Sequence, residues 1–198
     1  MKPALSFLAA ILALPCFASA QSSSPQKPAA TPPSQQPAVD PFAGAPPAKP
    51  ADVDSIDHIL AAIYDVISGP AGTRDWNRFR SLFIPTARLT STGKAPDGAI
   101  LVHPNSVDDY VNRAGAFFLK TGFFESALVN RVQTYGNVAQ VFSSYESRHA
   151  TGEAPFARGI NSIQLLHDGH RWWVVSILWD SERPDNPLPQ AFTKVPNM

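Results

Sequence analysis

A single cysteine, Cys16, stands in a chain of 198 residues, inside an N-terminal stretch with the marks of an export signal. Once that stretch is cleaved the mature protein holds no thiol. Disulfides, cysteine nucleophiles and thiolate metal sites are then excluded, even in an oxidising compartment. Charge of one sign is lacking as well. The 16 basic and 16 acidic residues are scattered without runs, so there is neither the basic stripe of a nucleic-acid partner nor a polybasic membrane patch. Glycine-rich phosphate loops are missing, since GPAG and RAGAF fit no phosphate-binding pattern, and Ser126, Ser143 and Ser176 have no nucleophile-elbow motif around them. No pair of the five histidines has the spacing and acidic partner of a metal site, so neither metal nor cofactor is expected.

What is present begins with Lys2, an apolar stretch from Leu5 to Phe17, and Ala18-Ser19-Ala20 as a small-x-small cleavage pattern. The apolar run is too short to span a bilayer. It predicts a signal peptide over 1–20, a cut before Gln21, and an exported protein, periplasmic or extracellular, with no membrane span after processing. Twenty prolines are roughly double the usual share. Many fall in 21–51, a Pro/Ala/Ser/Gln-rich segment with too little apolar area to offset its ordering entropy, and this reads as a disordered linker. With 44% apolar residues, 12 Phe and 4 Trp, the remainder buries a core. The folded domain is placed at 52–192 and a tail at 193–198.

Within that domain Ile56, Ile59, Leu60, Ile63 and Ile67 recur at helical spacing, with Asp54 or Ser55 as N-cap and Gly69-Pro70 as the stop. A short helix follows Asp75 and ends at Pro85. Ala87–Thr92 and Ala99–His103 read as strands. Ser106 and Asp109 form a capping box that opens a third helix through Phe118. The apolar period then falls to two, giving four long strands over Phe123–Tyr135, Val138–Arg148, Ala157–His167 and Arg171–Asp180. Gly136-Asn137 and Asp168-Gly169 mark the hairpin turns. Helices first and an antiparallel meander afterwards predict an α+β fold, three N-terminal helices against one face of a curved sheet.

Strict alternation sorts the faces. With Tyr135 opposite Val138, one face of the first hairpin carries Glu125, Arg131, Gln133, Gln140, Glu146 and Arg148 and is wet, with Glu125 opposite Arg148. The other carries Phe124, Ser126, Leu128, Asn130, Val132, Val141, Ser143, Tyr145 and Ser147. In the second hairpin Gly159, Asn161, Ile163, Leu165, Trp172, Val174, Ser176, Leu178 and Asp180 are placed inward. Trp173, Ile177 and Trp179 then form an exposed apolar patch, which predicts a homodimer through the outer sheet face.

The helix ILAAIYDVISGP, the stretches RDWNRFRSLFIPTARL and SVDDYVNRAGAFF, and the closing FARGINSIQLLHDGHRWWVVSILWD together resemble the nuclear-transport-factor-2-like superfamily, which includes SnoaL-like cyclases and ketosteroid isomerases. The resemblance spans about Asp52 to Asp180. It implies a curved sheet wrapped round helices, often dimeric, with a pocket at the open end of a cone. It also implies that Tyr64 occupies the place of the tyrosine that donates to an oxyanion. The family's general-base aspartate falls by count near Ser91, where this sequence has no carboxylate.

Three functions follow. The first is an exported binding domain holding a small apolar or carbonyl-bearing molecule, with Trp76, Tyr110, Tyr145, Asn161, Ser143 and Asn130 around it. The second is a proton-transfer enzyme of the isomerase, cyclase or dehydratase type, with Asp180 or His103 as base and Tyr64 as hydrogen-bond donor. The third is a protein-interaction domain whose pocket is vestigial.

Overall fold

A computed structural model describes residues 40–193. The expected signal peptide, most of the expected linker and the last residues of the tail lie outside the described residues.

The described residues ahead of Asp52 also carry structure. Phe42, expected in the linker, stacks on Trp173 with ring centroids 4.7 Å apart, and a single turn, α1 (Pro50–Val53), follows. Ser55 rather than Asp54 caps α2 (Ile56–Ile67), its hydroxyl accepting from the His58 N–H, which satisfies one of the free donors of the first turn. The i, i+3, i+4 spacing gives α2 one apolar face, and Ile59, Leu60, Ile63 and Ile67 are buried along it. Asp75 caps α3 (Trp76–Ser81), which delivers Phe79 to the core. Arg78 ties the three helices together by bonding both oxygens of Asp52, at 2.8 and 2.9 Å, and reaching Asp65 at 2.5 Å.

Strand β1 (Phe83–Lys94) begins earlier than the apolar pattern suggests. Pro85, expected to end a helix, lies within it, between the two stretches of β1 that pair with its neighbour. A missing N–H is tolerated where the ladder is already interrupted. After β2 (Ile100–Asn105), the Ser106–Asp109 capping box opens α4 (Val107–Phe118) as expected. The four long strands are β3 (Phe124–Tyr135), β4 (Val138–Arg148), β5 (Ala157–His167) and β6 (Trp172–Ser181). They join β1 and β2 in one sheet of order β2-β1-β6-β5-β4-β3. Only the β1–β6 pair is parallel. The α+β class therefore stands, with a mixed sheet in place of a purely antiparallel one. The core lies between the helices and one face of this sheet, where Phe79, Phe83, Ile59, Val141, Ile163 and Val174 are all but inaccessible. Burying each such side chain contributes about 1.5–3 kcal/mol.

Two bulges decide which residues face that core. β3 and β4 run in the expected register from Tyr135↔Val138 to Val129↔Ser144, but the next pair is Ala127↔Tyr145, leaving Leu128 as an extra residue. Below that point the parity of β3 inverts, and Glu125 stands opposite Ser147, not Arg148. β6 does the same: Gln164 pairs with Ser176 while Leu165 pairs with Val174, so Val175 is the extra residue. Ile177 and Trp179 consequently turn toward the helices, and Leu178 and Asp180 turn away.

The expected outer apolar patch is therefore not formed. Ile177 is 7% exposed, and Trp173 is 6% exposed, covered by Phe42 on one side and the Arg171 guanidinium on the other. The segment around Gln190–Phe192 packs on the outer face instead. A short turn at Gln190–Phe192 places the Phe192 carbonyl where Ser144 Oγ donates to it at 2.7 Å. The dimer expected through Trp173, Ile177 and Trp179 loses the surface that motivated it.

Candidate functional site

A pocket of about 380 Å³ opens between α4, the ends of α2 and α3, and the inner face of the sheet, within the usual range of roughly 300–1,000 Å³ for small-molecule sites. Each wall follows from local structure. On α4 the helical repeat brings Tyr110, Arg113, Ala114, Phe117 and Phe118 to one side, and all five line the cavity. Ile63 and Ile67 come from α2, Phe79 from α3, and Ile177 and Trp179 from the re-phased end of β6. Phe117 and Phe156, both about half exposed, stand at the mouth.

Against these apolar walls the sheet presents a few polar groups. Glu125, turned inward by the Leu128 bulge, lines the pocket together with Tyr145, Ser147 and Asn161. Its side chain has one hydrogen bond among the described residues, accepted at Oε2 from Ser147 Oγ at 2.7 Å. Burial penalises the charged form more than this bond favours it, so the carboxyl is pushed up to about 7. Three tyrosines stand within electrostatic reach of it. Tyr145 is pushed up to about 12, first by burial and further by the charges of Glu125 and Asp180, against the bond to Ser181 Oγ at 3.2 Å. Burial and then Glu125 also raise Tyr110. Tyr64 is raised too, chiefly by burial, and its hydroxyl is held 2.5 Å from Ser143 Oγ while accepting from Asn161 Nδ2 at 3.1 Å. All three phenols are neutral donors at ordinary pH.

Tyr110, Tyr145 and Asn161 thus come together at the pocket, and Tyr64 and Ser143 stand immediately behind Asn161. Trp76 stacks on Phe118 and forms the layer behind the α4 wall. Asn130 lies outside this pocket, in an open groove between α2 and β3 that Tyr64 and Glu125 also border. Neither base expected from the sequence reaches the pocket. Asp180 is on the outer face, bonded by the Arg183 guanidinium at 2.6 and 3.0 Å, and that bond holds its carboxyl below the usual range. His103 is exposed on the edge strand β2, opposite Ser91. The acid that alternation missed is Glu125. Its signal is the consecutive Ala127-Leu128-Val129, which breaks the period of two and marks where an extra residue enters. Among the described residues no group of three His, Cys, Asp or Glu side chains converges to hold a metal ion, and no helix is long and apolar enough to cross a membrane.

No family model and no curated protein matches the sequence. Solved structures share its fold. A protein of unknown function with a cystatin-like fold from Nostoc punctiforme PCC 73102 is 12% identical and covers 68% of this chain and 92% of its own, with a TM-score of 0.50. An NTF-2 like protein of unknown function from Silicibacter pomeroyi DSS-3 is 15% identical, over 65% of this chain and 94% of that one, with a TM-score of 0.45. A candidate dehydratase of the NTF2-like family from Streptomyces avermitilis is 13% identical, over 67% and 96%, with a TM-score of 0.48. The fold is the NTF2-like, or cystatin-like, α+β fold, and likeness at this identity speaks for fold alone.

Proposed function

We propose that the protein is a small-molecule-binding domain whose pocket takes a largely apolar molecule and sets one polar group of it against Glu125. The observation that supports this best is a carboxyl with a single hydrogen-bond partner among the described residues, on the wall of a mostly apolar and aromatic cavity. Such a group has acceptor capacity to spare, and a ligand hydroxyl would satisfy it where little water competes. Aromatic side chains on α4 and β6 favour a flat or ring-bearing body. The test is titration with 2-naphthol, a neutral bicyclic probe, followed by its own fluorescence. Saturable binding that weakens in Glu125→Gln is expected. Equal binding by both proteins would remove Glu125 from the recognition.

A second reading rests on the position of the Glu125 titration near neutrality, which suits a general acid/base. In it, the carboxylate takes a proton from the carbon beside a ligand carbonyl. The C–H electron pair moves through the new C=C bond onto the carbonyl oxygen, which a neutral O–H such as that of Tyr110 steadies, and Glu125 returns the proton to the same or another carbon. Exchange of the α-protons of 2-tetralone in deuterated buffer, followed by NMR, tests it. Faster exchange with the wild type that rises with pH through about 7 and is lost in Glu125→Gln is expected. Exchange at the buffer rate contradicts the reading and leaves the binding function standing.

A further inference from the structure

Arg113 is the one basic side chain on the pocket wall. It is exposed at the rim and makes no ion pair or side-chain hydrogen bond among the described residues. Asp109 stands one turn earlier on α4. That carboxylate is engaged by the helix cap, accepting from both the backbone N–H and the hydroxyl of Ser106 at 3.1 and 2.7 Å. The next acid back, Asp108, is taken by Arg80 at 2.7 Å. An unpartnered guanidinium on the lining of an apolar cavity is a ready site for a carboxylate, which its planar fork can bind with two parallel hydrogen bonds.

The other charge on the lining is Glu125. Glu125 comes from β3, an edge strand of the sheet, whereas α4 packs over β1 and β2 at the other side. Besides burial, the Tyr110 hydroxyl feels both charges, Glu125 raising it and Arg113 lowering it, while Glu125 itself is raised by burial against the opposing bond from Ser147. The pocket therefore has a cationic group on the helix wall, aromatic side chains in Phe118 and Trp179, and an acid on the sheet wall.

We infer that the pocket selects an amphipathic anion: a ring-bearing or otherwise apolar carboxylic acid whose carboxylate meets Arg113 at the rim and whose hydroxyl donates to Glu125. This inference deepens the binding function proposed above and rests on it. A neutral ligand leaves Arg113 idle. An anion buried the other way round would bring its charge against Glu125, which like-charge repulsion disfavours.

The test uses two matched fluorescent probes, 6-hydroxy-2-naphthoate and 2-naphthol, titrated into the wild-type protein and into Arg113→Gln. The naphthoate is expected to bind the wild type roughly fivefold tighter than the naphthol, the scale of a solvent-exposed ion pair. Arg113→Gln is expected to erase that preference, and about 0.5 M salt is expected to shrink it in the wild type. Naphthol binding without any preference for the naphthoate overturns the inference and leaves the pocket's binding function intact. So does a loss of both probes to the same degree in Arg113→Gln. Failure of both probes on the wild type overturns the inference and the binding function together.

Discussion

Ser147 Oγ lies 2.7 Å from Glu125 Oε2, across a strand pair that a bulge has shifted by one residue. That contact joins the fold to the candidate chemistry. The extra residue Leu128 turns Glu125 inward, the apolar wall shields it in part from water, and Ser147 supplies its one compensating bond.

The first consequence is a pH dependence of stability. The Glu125 carboxyl moves from an ordinary value of 4.5 in the unfolded chain to about 7 in the fold. Between those values the native state binds more protons than the unfolded one, so this group's contribution to stability falls as pH rises through the window and levels off above it. The scale is up to about 3 kcal/mol. Glu125→Gln keeps an acceptor for Ser147 and cannot ionise. It is expected to match the wild type at about pH 4 and to melt higher by about 2–8 °C at about pH 8. Identical melting curves at the higher pH would count against a poorly solvated carboxyl.

Removing the donor acts in the opposite sense. Ser147→Ala leaves the ionised carboxylate without its bond, so it is expected to cost about 1–3 kcal/mol at about pH 8 and clearly less at about pH 4. Urea unfolding at the two pH values reads the difference. A loss independent of pH would mean that the hydroxyl matters only for packing.

Tyr64 makes a different case. Its hydroxyl is satisfied within the protein, by Ser143 and Asn161. Tyr64→Phe is expected to destabilise the domain by about 1–3 kcal/mol, because it strands two buried polar groups, while 2-naphthol affinity changes by less than about twofold. A large loss of affinity with stability unchanged would make Tyr64 a direct ligand contact.

Gly159 is fixed by close approach. A Cβ there would lie 2.4 Å from the Asp180 carbonyl oxygen and 2.5 Å from the Tyr145 hydroxyl oxygen. Gly159→Ala is expected to push Tyr145 off Ser181 and to cost at least about 1–3 kcal/mol as overpacking. A variant as stable as the wild type in urea would show that the strand and Tyr145 yield freely.

Much of this is legible in the sequence. The N-cap and period of α2, the Ser106–Asp109 capping box, the Gly136-Asn137 turn and the four long strands are local signals, carried by a few adjacent residues. The inner face of β4 was legible too, because no bulge interrupts the alternation of Val141, Ser143, Tyr145 and Ser147. What failed was parity carried across Leu128 and Val175. One extra residue inverts every side chain beyond it, so Glu125 was placed in water and Asp180 in the pocket, the reverse of what the sheet does. The parallel pairing of β1 with β6 was illegible for another reason. It joins residues about ninety positions apart, and no local pattern records such a contact.

The central claim concerns Glu125, and its titration can be measured directly. Carboxyl carbon NMR on protein carrying ¹³C-labelled glutamate, with Glu125→Gln to identify the resonance, is expected to give a midpoint near 7. A midpoint near 4.5, the value of a freely solvated glutamate, would contradict the account.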